Sequence, residues 1–393
     1  MNSSKKPYYE NTLLLLSVFG VSPYQNKLSR FLACFAYCSI ACTQFCCKIA
    51  FVVRAWPDMD TIIENTSPVL VDVISIFKII NCAVNSKKIK HLFDQILFSS
   101  DPLLNSEELA IIERHDEHCR KFTIVWFTYL LSSVTIFYTM PLVPQLLDPQ
   151  GNNTHHDPLP VYYYHIDVQQ YYYPVYAHAF VTAWMFVGSL IAADSIYVVL
   201  VENACAMFSV VSYRLQNAIH DDELYADANV TKYNDASYQN FIDCIKRHKA
   251  AVKFADEVES TLSVSFLLTV GTNMIIISFT GTQLVVSVEE FDRLTRHAAM
   301  IFAQMGHLYM ENYYAQKLMD YSCDVYTNIL KSNWENASLR TQKLLCFFTM
   351  RSLVPSVITI GGFYVMSVQT FNWVRQSLFF DKNINRNEFN IRY

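Results

Sequence analysis

Four stretches of this sequence hold no Asp, Glu, Lys or Arg: Phe122 to Leu147 (26 residues), Val168 to Ala193 (26), Ser260 to Val288 (29) and Ser352 to Val374 (23). A bilayer-spanning helix needs roughly 20 predominantly apolar residues, because the hydrocarbon core leaves no partner for a backbone group outside the segment. The four runs are therefore predicted to be transmembrane helices. Three weaker runs join them. Phe31 to Cys47 is uncharged for 17 residues, and Ile49 to Val53 continues it past Lys48. Thr61 to Val84 is apolar around Glu64, Asp72 and Lys78, and His297 to Met310 is uncharged for 14 residues around Gln304 and His307. The chain thus reads as all-α, a polytopic membrane protein whose residues 1–393 form a single domain of seven transmembrane helices. Its 17% charged residues fall below the roughly 25% of soluble domains. Phe and Tyr total 52, which suits a protein with aromatic belts at membrane interfaces. A net charge of −5 gives no sign of a nucleic-acid partner.

The first run begins after a polar start and lacks a small-residue cleavage site, so it is expected to be a helix of the mature chain rather than a signal peptide. Leu13 to Val21 is too short to span and fits an interfacial segment. Segments on one side of the seven spans carry 21 Lys and Arg, against 6 on the other, with three more inside or at the ends of spans. Basic residues concentrate in cytoplasmic loops. The bias places the N-terminus in the cytoplasm and, with seven spans, the C-terminus outside. A G protein-coupled receptor, the main alternative with seven helices, has the opposite polarity. None of the eleven cysteines falls in the loops read as external, so the disulfide that commonly ties an outer loop in those receptors has no donor. Sequons at Asn2, Asn65, Asn152, Asn229 and Asn336 fall on both sides; only Asn152 is external and clear of the membrane.

Catalytic signatures are missing: there is no HExxH, GxSxG, Gly-rich phosphate loop or CxxC pair. No cofactor or metal is implied. A transporter or membrane enzyme would also call for paired Gly/Pro-broken helices or a catalytic cluster. His178 and Asp194 lie about 24 Å apart on a straight helix, at 1.5 Å per residue, and cannot work as a pair. Asp72 and Lys78 leave their helix by different faces, and Lys78 is expected to snorkel to the cytoplasmic interface. Cys34, Cys38, Cys42 and Cys46 recur every four residues and are expected to form a small-residue face packed on a neighbouring helix, with a metal or palmitoylation stripe as the alternative.

The longest cytoplasmic segment is 204–259. Phe208, Val211, Leu215 and Ile219 continue the fourth helix beyond the membrane; Phe241, Ile245, Val252 and Val258 lead into the fifth. Their apolar stripes want partners, either each other or other subunits. The external segment 145–174 has no Lys or Arg but six tyrosines and three histidines. It reads equally as an interfacial belt or as a lid over an apolar cavity.

Residues 325–380 carry Tyr326, Ser332-Asn333-Trp334, Lys343, Arg351, Pro355, Gly362-Phe363, Ser367 and Phe371. This pattern resembles the C-terminal signature of insect odorant receptors. Cys205 with Phe208 and Tyr213-Arg214-Leu215 is similar to a second family motif, and Cys244-Ile245 with His248 and Phe254 to a third. The stretch HIDVQQYYYP resembles members from ants, bees and wasps. The resemblance implies an odour-specific subunit that joins a co-receptor in a heterotetramer around one cation pore, in the plasma membrane of an olfactory neuron, among membrane lipid. It implies that 204–259 and 316–351 form a cytoplasmic anchor between subunits and that the last helix lines the pore. In the family that helix continues apolar past the position of Phe380. Here DKNINRNEFNIRY follows, so either the co-receptor supplies the gate or the final exon is altered. Nine acidic residues in or beside the external loops (Asp58, Asp60, Glu64, Asp148, Asp157, Asp167, Glu289, Glu290 and Asp292) would concentrate cations.

The resemblance also places a ligand pocket in the outer half of the bundle, among spans two, three, four and six. Candidates there are Leu70 and Ile74; Ser133, Phe137 and Met140; Tyr173, His178 and Thr182; and Met300 and Gln304. Apolar members would hold an apolar volatile or a cuticular hydrocarbon by burial, and Ser133, His178 or Gln304 would bond one functional group.

Overall fold

The computed structural model describes residues 6–98, 104–139, 171–218, 236–288 and 290–376. In chain order the helices are α1 (Lys6–Val18), α2 (Lys27–Arg54), α3 (Met59–Val84), α4 (Ser86–Phe98), α5 (Ser106–Thr139), α6 (Tyr172–Gln216), α7 (Ala236–Val286), α8 (Phe291–Leu330) and α9 (Leu339–Ser352). A two-stranded hairpin, β1 (Thr359–Ile360) and β2 (Tyr364–Val365), follows, and residues 368–376 return to helix. Among the described residues five helices, α2, α3, α5, α6 and α7, are long and apolar enough to cross a membrane.

α6 is the centre of the bundle. It is apolar all round, and such a helix must be buried on every side. Every residue from Phe186 to Glu202 is indeed buried, among α3, α5, α7 and α8. α2 and α7 lie at the periphery. α2 presents Leu28, Phe31, Leu32 and Phe35 outward and turns only a stripe of Tyr37, Ala41, Gln44 and Lys48 inward. α7 likewise exposes Val264, Leu267, Leu268 and Ile275. Apolar patches of this extent call for a lipid or protein covering. α8 is the most polar of the long helices and turns Gln304, His307, Glu311 and Asn312 into the bundle. The run Leu13 to Val21, expected at the interface, starts in α1 and buries Leu16, Phe19 and Val21 while exposing Leu14.

Three expectations are corrected. The cysteine stripe does not pack on a neighbour: Cys38, Cys42 and Cys46 are exposed and Cys34 is half-buried. Lipid and a neighbouring helix are equally apolar, so a row of small apolar residues does not reveal which of them it faces. Lys78 does not snorkel but is buried in an ionic cluster. The uncharged run Ser352 to Val374 is not one helix. Pro355 disfavours helix at the residue before it, and the chain runs extended from Pro355 into the hairpin. Gly361 and Gly362 take φ of +60° and +80° at the turn, a conformation open to glycine at little cost. Gly361 N–H donates to the Ser263 carbonyl at 3.0 Å, pinning the turn on α7. Helix resumes where Ser367 Oγ accepts from Thr370 N–H at 3.1 Å, an N-cap.

The stripes that extend α6 and α7 meet each other within the chain: Phe208, Val211, Leu215, Phe241 and Val258 are all buried. Arg214 joins three helices at this end, with hydrogen bonds to Glu108 of α5 and Asp243 of α7. Burial opposes ionisation of Asp243, but the guanidinium groups of Arg247 and Arg214 hold its carboxyl below the ordinary range.

Candidate functional site

α5 ends at Thr139 and α6 begins at Tyr172. Toward that end of the bundle, α2, α3, α5, α6 and α8 enclose a cavity of about 70 Å³. One water needs roughly 10–15 Å³ by the same measure, so the space suits a small molecule of several heavy atoms. Its wall is Pro68, Val71 and Asp72 from α3, Leu130, Ser133, Val134, Phe137 and Tyr138 from α5, and Ala183, Phe186, Val187 and Leu190 from α6. α8 adds Ala299, Met300, Ala303 and Gln304, and α2 adds Lys48. A smaller space of about 10 Å³ shares Pro68, Phe137 and Met300 with it and adds Glu64, Arg296 and His297.

Ser133, Phe137, Met300 and Gln304 thus come together on one wall. Leu70 and Ile74 do not reach it; on α3 the cavity takes Pro68, Val71 and Asp72 instead. One position along a helix turns the side chain by about 100°, so residues one or two positions away from Leu70 and Ile74 present a different face. Thr182 is buried and donates to the backbone carbonyls of His178 and Ala179. His178 lies 3.2 Å from the Thr43 hydroxyl, between α6 and α2. Tyr173 is 73% exposed. Met140, nearly all of the segment 145–174 and the tail after Phe380 lie outside the described residues.

The two charged residues of the cavity were not among the sequence candidates. Lys48 and Asp72 are both buried and form an ion pair at 2.7 Å. Two opposite charges inside adjacent spans were the available signal, since intramembrane charges generally pair.

One to two turns further along the same helices lies a second polar constellation. Leu130 gives way to Trp126, Leu190 to Asp194, Gln304 to His307 and Glu311, and Asp72 to Lys78. The Lys78 ammonium donates to Asp194 and, at 2.7 Å, to Glu311, and lies 3.0 Å from His307 Nε2. Trp126 Nε1 donates to Asp194 at 3.1 Å, and Asn273 lies 3.1 Å from His307 Nδ1. Asp194, His307 and Glu311 are near enough to share a metal ion, with ligand atoms within 4.8 Å of one another. Lys78 bonds to all three and supplies the positive charge that such an ion would bring. Beyond the cluster on α8, Asn312 Oδ1 accepts from Ser367 N–H at 3.2 Å. One helix therefore touches the cavity, the ionic cluster and the start of the final helix.

The structure is thus a many-helix bundle with a largely apolar cavity among five of its long helices. The family model "7tm Odorant receptor" matches residues 58–378, and the chain belongs to the 7tm odorant receptor family. Among curated Drosophila melanogaster proteins it is 22% identical to odorant receptor 22b over 67% of this chain and 62% of that one. It is 25% identical to odorant receptor 85c over 27% of each, and 38% identical to odorant receptor 30a over 19% of each. These alignments span less than two thirds of the relatives' lengths. The fold is that of the insect olfactory receptor OR5 from Machilis hrabei, solved with eugenol (TM-score 0.78, 13% identity, 96% of both chains) and in a second structure (TM-score 0.71, 13% identity, 96% of this chain and 97% of that one). The family assignment leaves the G protein-coupled alternative without support.

Proposed function

We propose that this protein is the odour-binding subunit of an odorant-gated cation channel in the plasma membrane of an olfactory neuron, assembled with a co-receptor. The observation that carries the reading is the cavity, a space walled by five long helices at the end of the bundle where a ligand arriving from outside would enter. Its wall is predominantly apolar, and burial of a volatile there would contribute about 25 cal/mol per Å². The OR5 structure with eugenol is consistent with ligand recognition in such a fold. The charge bias supports a cytoplasmic N-terminus and an external C-terminus. The exposed apolar residues Leu339, Phe347 and Met350 of α9, with Leu353 and Val354, are the surface we assign to the anchor between subunits, because the longer stripes of α6 and α7 are consumed inside the chain. Signal would pass along α8, from Met300 and Gln304 through His307 and Glu311 to Asn312 and Ser367.

The test is current recording in cells expressing the chain with and without a co-receptor, against a panel of volatiles. Odour-evoked current only in the co-expressed case, reversing with sodium and potassium, is the expected result. Reversal that follows chloride would overturn the ion class. An N-terminal epitope should stain only after permeabilisation, and the opposite pattern would overturn the topology.

A further inference from the structure

The end of the bundle that the charge bias reads as cytoplasmic carries a basic surface used by neither the cavity nor the ionic cluster. α4 follows α3 directly after Asn85 and is amphipathic. Ile89, Leu92, Phe93, Ile96 and Leu97 are buried against α3, α6 and α7, while Lys87, Lys88 and Lys90 are exposed. Tyr24, in the turn between α1 and α2, ties α4 to the start of α2. Its hydroxyl donates to Asp94 of α4 at 2.7 Å, and the Lys90 ammonium lies 5.9 Å from its ring centre. α2 then opens with Lys27, exposed, and Arg30, half-buried, one turn apart on the same side of the helix. Among the described residues none of these cations forms an ion pair with a carboxylate. Two acids at this end are engaged elsewhere, Asp94 by Tyr24 and Glu257 of α7 by His91 at 3.9 Å. Exposed apolar side chains begin within a turn of the cations: Leu28, Phe31 and Leu32 on α2, and Val84 at the end of α3. Unpaired cations set on an outward apolar surface match the boundary between acyl chains and headgroups.

We infer that this surface binds an anionic lipid of the cytoplasmic leaflet whose headgroup carries several phosphates, a phosphorylated inositol lipid. The inference uses the topology proposed above and does not depend on the odour reading of the cavity. Lys and Arg clustered just cytoplasmic of a spanning helix, or along an amphipathic helix, attract such lipids. Cations drawn from two helices offer more positive charge than a singly charged headgroup can answer, whereas several phosphates on one ring answer several cations together. A zwitterionic headgroup brings an ammonium of its own. A protein that captures a basic amphipathic helix takes its apolar face into a groove, but the apolar face of α4 is consumed inside the bundle, so only the charged edge is on offer. A free phosphate compound would meet the cations and leave Leu28, Phe31 and Val84 uncovered. α4 continues α3, which lines the cavity at Asp72 and enters the ionic cluster at Lys78, so a lipid held at α4 restrains the end of a helix that touches both.

The experiment uses the full chain purified with its co-receptor and a fluorescent short-chain phosphatidylinositol bisphosphate as the probe, with binding to the co-receptor alone as background. Phosphatidylcholine and phosphatidylserine of the same chain length, and free inositol trisphosphate, serve as competitors. Lys87→Gln, Lys88→Gln and Lys90→Gln together should weaken probe binding at least about tenfold, and Lys27→Gln, on the other helix, about fivefold. Lys246→Gln, Lys249→Gln and Lys331→Gln together remove the same charge from exposed positions elsewhere and should leave binding as in the native protein. Lys87→Arg, Lys88→Arg and Lys90→Arg together keep the charge and should keep the binding, which separates lost charge from a lost fold. The unlabelled bisphosphate lipid should displace the probe at concentrations well below those of the three competitors. Equal binding by the native protein and the Lys87, Lys88 and Lys90 glutamine variant would overturn the inference, as would an equal loss in the Lys246, Lys249 and Lys331 variant. Displacement by inositol trisphosphate as strong as by the lipid would overturn the lipid assignment and leave a site for a soluble phosphate compound.

Discussion

The cavity and the ionic cluster share α3, α5, α6 and α8, one or two turns apart, and treat polarity differently. In the cluster the main charges are closed on one another: Lys78 serves Asp194, His307 and Glu311 at once, with Trp126 on Asp194. In the cavity one ion pair and one amide face open space. The cluster ties α3, α5, α6, α7 and α8 together, since each contributes a polar group to it. An open wall leaves its groups for something that arrives later. The lesson is that burial of charge within a membrane protein does not by itself locate a ligand site; what is left unfilled around the charge does.

The largest effect separating the two regions is expected at Lys78. Lys78→Met leaves Asp194 and Glu311 buried without a counter-charge, and breaking a buried pair typically costs about 3–5 kcal/mol. Surface expression should collapse, and thermal unfolding of the purified protein should drop sharply. Adding Asp194→Asn and Glu311→Gln to it should restore much of the loss. If Lys78→Met folds and expresses normally, the cluster does not hold the helices together.

Next is Gly306, where α8 passes α5. A Cβ there would press on the Tyr129 hydroxyl and come within 2.7 Å of its ring, and Tyr129 also bonds to the Phe302 carbonyl. Overpacking of this kind costs about 1–3 kcal/mol. Gly306→Val should lower thermal stability, and unchanged stability would show that α5 and α8 can separate freely.

Asn312→Ala should act on output rather than recognition. It removes the acceptor of Ser367 N–H, so maximal current at equal surface level should fall several-fold while the order of agonist potencies stays as in the native protein. A reordered agonist series would mean that the end of α8 shapes the cavity directly.

The smallest effect belongs to the cytoplasmic end. Burial, with Arg351 nearby, lowers the pKa of His248 from an ordinary 6.5 to about 4. The unfolded chain then binds a proton that the folded chain refuses. Stability is therefore full above pH 6.5 and declines as the pH falls through 6.5 toward 4. His248→Phe should flatten that part of the stability-versus-pH curve; an unchanged slope would assign it to other groups.

The charge-free runs revealed the spans but not their internal form. Phe122 to Leu147, Val168 to Ala193 and Ser260 to Val288 lie largely in α5, α6 and α7. Ser352 to Val374 is equally free of charge and yet holds a hairpin, because lack of charge reports surroundings and not backbone geometry. Pro355 and Gly361-Gly362 carried the missing information. For the cavity, burial could be read on α5 and α8, where Ser133, Phe137, Met300 and Gln304 fall on the facing side. On α3 the cavity takes Pro68, Val71 and Asp72 in place of Leu70 and Ile74. Facing direction in a membrane helix is set by long-range packing, and lipid blurs the amphipathic signal that would reveal it in water.

The central claim, that the cavity chooses the agonist, is tested most directly by dose–response curves for two agonists of different size in Met300→Ala and His178→Ala, each normalised to surface level. Met300 lines the cavity, whereas His178, between α6 and α2, does not. The account expects Met300→Ala to shift the two curves by different factors and His178→Ala to leave their ratio as in the native protein. A changed ratio in His178→Ala, with parallel curves in Met300→Ala, would contradict it.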